Sequence, residues 1–312
     1  MSGAVRISLA LTLLSAFALA AALWLGPTPL ADPFAADPNT RTIVWEIRFP
    51  RALTAWIVGA ALGLAGAALQ GLLRNPLADA GVLGLSGFAA LGAVLAFAFG
   101  VSALAPVAAV AFALGAAARG PASLALIGVG LSSFAGGLIA LALNLAPNPG
   151  ALADLVNWTL GSVEGRSLND AGLAGGLLLA GVAFVAFAAR GLQALTLGEE
   201  AASAIGANLG ATRALVIAGA ACCAGGATAV AGIIGFVGVA APHLVRALTQ
   251  HDPARLLMPS ALAGGALLVC ADIAVRLLPT DVELKLGVAA ALIGGPVFAM
   301  IAARLVARGG EA

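Results

Sequence analysis

Runs of mostly apolar residues follow one another through the whole chain, separated by arginine, proline, glycine and acidic residues. A helix of about 20 such residues crosses a bilayer and satisfies its backbone hydrogen bonds within the segment. Apolar residues make up 62% of the sequence and charged residues 9%, with a mean hydropathy of +1.07. Soluble domains carry roughly 25% charged residues. The sequence therefore predicts an all-α polytopic membrane protein.

The residues that interrupt these runs predict the helix boundaries. We expect ten helices, at residues 7–26, 53–73, 82–100, 103–118, 122–144, 168–189, 212–231, 234–249, 256–278 and 286–307. Three more polar stretches should lie outside the bilayer, at residues 27–52, 145–167 and 190–213. The first run resembles a signal peptide, but its length and the membrane-embedded chain behind it favour a retained helix. We expect one transmembrane domain over residues 1–312.

The basic residues predict the orientation in the membrane. With both termini cytoplasmic, nine basic residues lie at inner helix ends and six at outer ends, in agreement with the positive-inside rule. The inner set is Arg6, Arg74, Arg119, Arg190, Arg213, Arg246, Arg255, Arg304 and Arg308. The outer set is Arg41, Arg48, Arg51, Arg166, Arg276 and Lys285. A cluster of outer arginines opposes the rule, so we expect it to serve a purpose other than insertion.

The motifs of the commonest ATP-hydrolysing, metalloprotease and serine-hydrolase sites are absent from the sequence. No GxxxxGK[ST] loop occurs and Lys285 is the only lysine, so we do not expect the chain to hydrolyse ATP by itself. HExxH and GxSxG are also missing. His243 and His251 lack cysteines or carboxylates at ligand spacing. The cysteines lie in apolar runs and are interpreted as packing residues: Cys222, Cys223 and Cys270. We expect no catalytic site, metal or cofactor on this chain.

Ionisable residues deep within the apolar runs are nearly missing, which bears on the class of transporter. A proton- or sodium-driven secondary transporter needs an essential buried acid. The main candidates are Asp272 and Arg276, whose i, i+4 spacing places both on one helix face and favours a local ion pair. A secondary transporter and an intramembrane enzyme are therefore kept only as remote alternatives.

The stretch LGEEAASAIGANLG, within the polar stretch 190–213, has the pattern of short amphipathic helices on the predicted inner side. Its apolar residues fall on one side of a helix: Ala201, Ala202, Ile205 and Leu209. Its acids lie near the helix start, where the helix dipole favours them: Glu199 and Glu200. Glycines divide it into short pieces: Gly198, Gly206 and Gly210. Such a helix pair can dock into a groove on another protein, and an ordinary solvated loop is the alternative.

Three motifs occur in order between about residue 45 and the C-terminus: Arg-x-Pro-Arg in RFPRALTAWIVG, Asn-Pro-Leu-Ala in RNPLADAGVLGLS, and Gly-Phe-Val-Gly with Pro-His in GIIGFVGVAAPHLVR. Together with LGEEAASAIGANLG and LGVAAALIGGPVF, they resemble the FecCD-type permeases. These are membrane subunits of ABC importers for iron-siderophores, haem and cobalamin. The resemblance implies the type II ABC importer permease fold, in a homodimer with the cargo path on its two-fold axis.

The resemblance also implies partners, a location and a cargo. Two cytoplasmic ATPase subunits would use ATP, and a periplasmic substrate-binding protein would deliver cargo to this chain in the bacterial inner membrane. The chain would then translocate an iron chelate inward, either haem or a ferric siderophore. Cobalamin is the alternative, although Pro121 and Ala122 stand where the cobalamin importer has hydroxyl residues.

Residue roles at the outer face follow from matching positions. Arg48 and Arg51 resemble arginines that meet carboxylates on the binding protein, and Arg276 resembles a third. Interfacial snorkelling, or for Arg276 an ion pair with Asp272, is the alternative. Changing Arg48 and Arg51 to glutamate is then expected to weaken docking and leave the dimer intact. Lys285 stands at a position where the family commonly has proline, which adds outer charge and removes a rigid helix start.

Residue roles at the inner face follow in the same way. Asn75 and Leu77 match the inner constriction of the pathway. A helix-ending Asn-Pro turn is the structural alternative, and both interpretations can hold together. Residues of about 191–212 match the coupling loop that transmits ATPase closure to the membrane helices. Its candidate residues are Gly198, Glu199, Glu200, Ala201, Ile205, Gly206 and Leu209.

Overall fold

A computed structural model of the chain describes residues 3–28, 32–35, 37–81, 83–99, 121–146, 148–250, 252–279 and 283–309. The described residues form α-helices joined by short turns, with no strand among them. The helices are α1 (Gly3–Trp24), α2 (Pro38–Thr42), α3 (Phe49–Leu73), α4 (Leu85–Phe99), α5 (Pro121–Asn144), α6 (Pro149–Thr159), α7 (Leu168–Ala194), α8 (Glu199–Ala204), α9 (Leu209–Ala231), α10 (Val237–Arg246), α11 (Pro253–Arg276) and α12 (Leu286–Gly309).

Several of these helices are long and apolar enough to cross a membrane. Seven such segments occur in the described ranges: Arg6–Trp24, Pro38–Leu73, Leu126–Asn144, Leu168–Leu197, Leu209–Ala231, Pro253–Arg276 and Leu286–Ala303. The chain is therefore a multi-pass membrane protein, as its composition predicted. The sequence also predicted helices at 7–26, 53–73, 82–100, 122–144, 168–189, 212–231, 256–278 and 286–307, and each of these is confirmed as a helix. The helix predicted at 103–118 lies outside the described residues.

The helix predicted at residues 234–249 differs from the structure. Residues 232–235 are not helical, and α10 begins only at Val237. Gly232 and Phe236 both have positive φ, 70° and 66°, which interrupts a continuous helix. The ten residues of α10 span about 15 Å at 1.5 Å per residue, about half of a bilayer core. The predicted helix is present but begins three residues later than expected and ends in a 3-10 turn, Ala247–Thr249.

All three stretches predicted to lie outside the bilayer contain helices, and the third is described below as the coupling loop. In the first, α2 continues through a π-helix, Ile43–Arg48, directly into α3. In the second, α6 buries Leu155 and Trp158 beside Ala90 and Val94 of α4. The single domain predicted for residues 1–312 stays a prediction.

Helix α3 lies at the centre of the bundle and is buried around most of its circumference. It packs against α7, α9, α10 and α11. Small residues permit this close approach, since a Cβ on Gly59 or Gly63 would collide with backbone carbonyl oxygens of α11. In lipid, packing of this kind drives helix association because hydrophobic burial between helices is weak. The glycines of α3 therefore allow its backbone to lie directly against that of α11.

The helices around this centre present large apolar side chains to the outside. Examples are Leu9 and Phe17 of α1, Phe187 of α7, and Leu292 and Ile293 of α12. A bilayer solvates such side chains, so their exposure is consistent with a membrane location. The cysteines are free thiols, and Cys223 is fully buried between α9 and α7, which confirms its interpretation as a packing residue.

Candidate docking, gate and coupling sites

Five charged side chains meet at the end of the bundle predicted to face outward; we call them the outer cluster, Arg48, Arg51, Asp272, Arg276 and Glu283. Arg51 of α3 is its centre. Its Nε and Nη2 atoms donate to Asp272 Oδ1 at 2.9 Å and 2.7 Å, and its Nη1 donates to Glu283 Oε2 at 3.1 Å. A second donor, Nη2, also reaches Glu283. Two carboxylates therefore share one guanidinium group, from α11 on one side and the segment before α12 on the other.

Asp272 is the buried anion of the outer cluster, with only 1% of its surface exposed. Besides Arg51, it forms an ion pair with Arg276 one helical turn later, with Nε and Oδ2 separated by 3.1 Å. Arg276 also donates weakly from Nη1 to the carbonyl of Ala22, at 3.4 Å. The local ion pair predicted from the i, i+4 spacing is confirmed.

Arg48 has a different environment within the outer cluster. Its Nη1 donates to the carbonyl oxygens of Leu23 and Trp24 at 2.7 Å and 2.9 Å, and its Nη2 reaches the carbonyl of Thr28. The last carbonyls of a helix lack partners within that helix, and a cation beside them is favourable. Arg48 therefore caps the C-terminus of α1.

The three arginines proposed to dock a partner are thus buried and held by groups of this chain. Three guanidinium groups face two carboxylates, which leaves the outer cluster with one excess positive charge. Nη2 of Arg276 has no hydrogen-bond partner in the described ranges. The docking role of Arg48, Arg51 and Arg276 stays a prediction.

Lys285 forms a separate ion pair beside the outer cluster. Its Nζ lies 2.7 Å from Glu164 Oε2, and two residues later the Gly287 N–H donates to the carbonyl of Gly161 at 3.0 Å. These two contacts fix the start of α12, at the position where the family commonly has a proline that would make the backbone rigid. The hydrogen bond from Lys285 lowers the pKa of Glu164. The pair therefore contributes fully to stability at pH values above the ordinary pKa of glutamate. This contribution is lost as the pH falls through the lowered pKa of Glu164 in the folded chain.

The Asn-Pro segment after α3 forms a compact turn. Arg74 ends α3 in the left-handed conformation, with φ of 50°. The side chain of Asn75 then accepts from the N–H of Leu77 at 2.9 Å, while its carbonyl accepts from Ala78 at 3.1 Å. The structural interpretation of RNPLAD as a helix-ending turn is confirmed. The gate role of Asn75 and Leu77 stays a prediction.

A polar group that the sequence analysis did not single out joins α3 to α10 at this same end. Gln70 is buried, donates from Nε2 to the carbonyl of Gly238 at 3.2 Å, and accepts from Nη2 of Arg246. The carboxylate of Asp79 lies against Gly238, where any larger residue would place its Cβ. Burial raises the pKa of Asp79, opposed by the N–H groups of the next two residues. The sequence offered one signal for this polar group, which is that Gln70 is a glutamine inside an otherwise apolar, glycine-rich run.

The predicted coupling loop consists of short elements, as its glycines led us to expect. A 3-10 turn, Leu195–Leu197, is followed by α8, which ends at Ala204, and Leu209 already belongs to α9. The prediction that Ala201, Ala202, Ile205 and Leu209 share one helix face is therefore wrong. Gly198 and Gly206 separate the pieces as predicted, with φ of 94° and 84°, whereas the break predicted at Gly210 is wrong because Gly210 lies within α9.

The exposure of the coupling-loop side chains shows what a partner could contact. Ala202 is buried and Leu209 is half-buried, whereas Ala201, Glu200 and Gly206 are exposed. Ile205 is 65% exposed. Glu199 forms an ion pair with Arg213 of α9 at 2.7 Å, which ties α8 to the next membrane helix. At the base of the loop, Gln193 donates to Asp252, which caps the start of α11.

Comparison with known proteins supplies the family. The model of the FecCD transport family matches residues 7–304, nearly the whole chain. The chain belongs to the FecCD transport family. An inward-facing structure assigned to the metal-chelate type of ABC transporter superposes with a TM-score of 0.86 at 28% identity, covering 96% of this chain and 99% of that one. The FecCD resemblance and the type II importer permease fold are thereby confirmed.

Several curated proteins are similar to this FecCD chain. An uncharacterised ABC transporter permease of Bacillus subtilis (strain 168) is 38% identical, covering 86% of this chain and 80% of its own length. The vitamin B12 import permease of Vibrio cholerae is 37% identical, with coverages of 94% and 90%. The Fe(3+)-citrate import permease of Bacillus subtilis is 34% identical, with coverages of 89% and 87%. This FecCD chain is an ABC importer permease, and its relatives carry more than one kind of metal chelate.

Proposed function

We propose that this FecCD permease carries an iron chelate, haem or a ferric siderophore, into the cell, with energy from a separate ATPase. The uninterrupted family match over residues 7–304 carries this proposal. Relatives that import Fe(3+)-citrate and siderophores support an iron chelate as cargo. Pro121 and Ala122, the first residues of α5, offer no hydroxyl groups where the cobalamin importer has them.

Cobalamin import is the second candidate. It is favoured by the 37% identity to the vitamin B12 permease of Vibrio cholerae. Both candidates share one mechanism, in which a bulky metal chelate passes a surface that holds it only weakly. Within the described ranges, no three His, Cys, Asp or Glu side chains group as a metal site.

The partners follow from the same assignment. The working unit would be a homodimer with two cytoplasmic ATPase subunits and a periplasmic substrate-binding protein, in the inner membrane of a bacterium and with both termini of this chain in the cytoplasm. The outer cluster would receive the binding protein, and the coupling loop would receive the ATPase. The turn at Asn75 and Leu77 would form part of the inner gate.

The structure offers a physical path from the coupling loop to the membrane helices. A push on α8 would reach α9 through the ion pair between Glu199 and Arg213. It would reach α11 through the hydrogen bond from Gln193 to Asp252, at 3.2 Å. Helix α11 in turn packs tightly on α3 through Gly59 and Gly264, so these two helices would move together.

An uptake assay tests the proposed function. The chain is reconstituted in proteoliposomes with the ATPase and binding protein encoded beside it and supplied in turn with radiolabelled haem, a ferric siderophore and cobalamin. We expect ATP-dependent uptake of haem or the siderophore. Uptake of cobalamin alone would select the second candidate. Absence of ATP-dependent uptake for all three, with every partner assembled, would contradict the proposal.

Replacing Ile205 with serine is expected to uncouple ATP hydrolysis from transport. Ile205 is exposed beside α8, so the change removes an apolar contact with the ATPase while the fold of the chain is kept. We expect about a fivefold or larger fall in cargo imported per ATP hydrolysed, since a buried apolar anchor contributes about 1 kcal/mol or more. The ratio is measured in the proteoliposomes above.

Leu145→Ser is the matched control for this experiment, because Leu145 is 70% exposed at the other end of the bundle. It should leave the ratio unchanged. Normal coupling in Ile205→Ser would refute the role of this loop residue. Alanine at Glu199 or Leu209 is a poorer test, because one is ion-paired and the other is half-buried.

A further inference from the structure

The two carboxylates that hold Arg51 differ in how firmly they are fixed. Asp272 is almost fully buried, lies within α11 and also pairs with Arg276. Glu283 has 28% of its side chain exposed and lies in the segment between α11 and α12. It binds the end of the guanidinium group through Nη1 and Nη2, whereas Asp272 binds the Nε edge. Glu283 is therefore the partner that can leave.

Departure of Glu283 would not disrupt the rest of the outer cluster. Asp272 would keep its contacts with Arg51 and Arg276, so no buried carboxylate would become unpaired. The start of α12 would stay in place, because Lys285 is held by Glu164 and Gly287 by the carbonyl of Gly161. Only the side chain of Glu283 would have to move.

Departure of Glu283 would also create a binding site for an anion. Three guanidinium groups would then face the single carboxylate of Asp272, an excess of two positive charges. The free end of Arg51 would offer two parallel N–H donors, the geometry that a carboxylate binds in a bidentate manner. The position vacated by one carboxylate is shaped for another.

We propose that Glu283 is an internal placeholder, which occupies Arg51 in the undocked permease and is displaced by a carboxylate of the substrate-binding protein. This inference rests on the docking role proposed above for the outer cluster. The exchange replaces one Arg-carboxylate pair with another, so Arg51 is never left buried without a partner. Glu283 thereby weakens docking and prevents unrelated anions from occupying Arg51.

Binding of the substrate-binding protein to full-length permease in nanodiscs tests the proposal. The probe is the cargo-loaded binding protein encoded beside this chain, and the variant is Glu283→Gln. Loss of the competing charge should lower the Kd about fivefold at low salt, the scale of a partly exposed ion pair. The gain should shrink at high salt, because screening weakens charge pairs at the surface.

Glu164→Gln is the matched control, since it removes the same charge beside the outer cluster but leaves Arg51 with both partners. Its Kd should stay within about twofold of the wild-type value. If Glu283→Gln lowers the Kd no more than Glu164→Gln does, the placeholder is refuted, because the effect is then one of net charge alone.

A third variant separates this inference from the docking role on which it rests. Arg51→Gln should weaken docking, and the double variant Arg51→Gln, Glu283→Gln should lose the gain of Glu283→Gln. Normal docking of Arg51→Gln, with the dimer intact by size-exclusion chromatography, would refute the docking role itself. Weak docking of Arg51→Gln together with an unchanged Kd in Glu283→Gln would refute only the placeholder.

Discussion

Replacing Asp272 with alanine is expected to lower the free energy of unfolding by about 3–5 kcal/mol, the range for breaking a buried ion pair on one side. Arg51 would keep only Glu283, and Arg276 would lose its only carboxylate partner in the described structure while staying buried. Asp272→Asn should cost less, because the amide oxygen still accepts a hydrogen bond. The measurement is the thermal unfolding midpoint of the purified chain in detergent, detected by near-UV circular dichroism.

Asp154→Ala is the control for this prediction. Asp154 is an exposed residue of α6, and within the described ranges it takes part in no ion pair. Its removal should change stability by less than about 0.5 kcal/mol. Equal unfolding midpoints for the Asp272 and Asp154 variants would show that the buried carboxylate does not hold the outer end together.

The burial of the outer cluster also changes how docking is tested. The sequence led us to expect that glutamates at Arg48 and Arg51 would weaken docking and leave the dimer intact. In the structure, a glutamate at position 51 would lie against Asp272 and Glu283, and one at position 48 would face the carbonyl oxygens that end α1. Charge reversal would therefore disturb the fold, which is why Arg51→Gln is the better variant.

Replacing Gly66 with alanine is expected to be the most damaging single-carbon change at the helix contacts. A Cβ at this position would overlap the carbonyl oxygen of Gly238 and lie 2.6 Å from its Cα. The obstacle is backbone, which cannot rotate away, so we expect a loss of about 1–3 kcal/mol or more as α3 and α10 separate. Thermal unfolding and the fraction of chain recovered as folded protein measure this loss.

Gly176→Ala is the control, because the same substitution at this position should not lower stability. Gly176 lies in α7 with no atom within 4 Å of the position that a Cβ would occupy. Alanine favours a helix over glycine by about 1 kcal/mol, so this variant should be as stable as the wild type or more stable. If Gly66→Ala were equally well tolerated, the proposed close contact between α3 and α10 would be wrong.

Much of the fold could be predicted because its signals are local. A membrane helix is specified by the length and composition of one segment, so the apolar runs at 168–189 and 256–278 sufficed to predict α7 and α11. The turn after α3 was predictable for the same reason, because an Asn-Pro pair disfavours further helix. The i, i+4 pair of Asp272 and Arg276 needed only the helical repeat.

The failure at residues 234–249 has a physical cause, which is competition from distant contacts. The run at 234–249 is apolar enough for a longer helix. However, Gly232 packs against the carbonyl of Trp158, and Phe236 adopts a left-handed backbone beside Gly294 of α12. In the coupling loop the cause is local, because Gly206 turns the chain after α8 and places Leu209 in the next helix.

The sequence by itself determined that this chain is a helical membrane permease, since composition, apolar run length and ordered motifs are properties of the chain alone. Only the tertiary structure decided how its outer arginines are used. The partners of Arg51 lie 221 and 232 positions away along the chain, and no local pattern relates residues so far apart. A guanidinium group pairs with whichever carboxylates folding brings within hydrogen-bond distance. The charges of the outer cluster therefore balance one another only after α3, α11 and the segment before α12 have packed together.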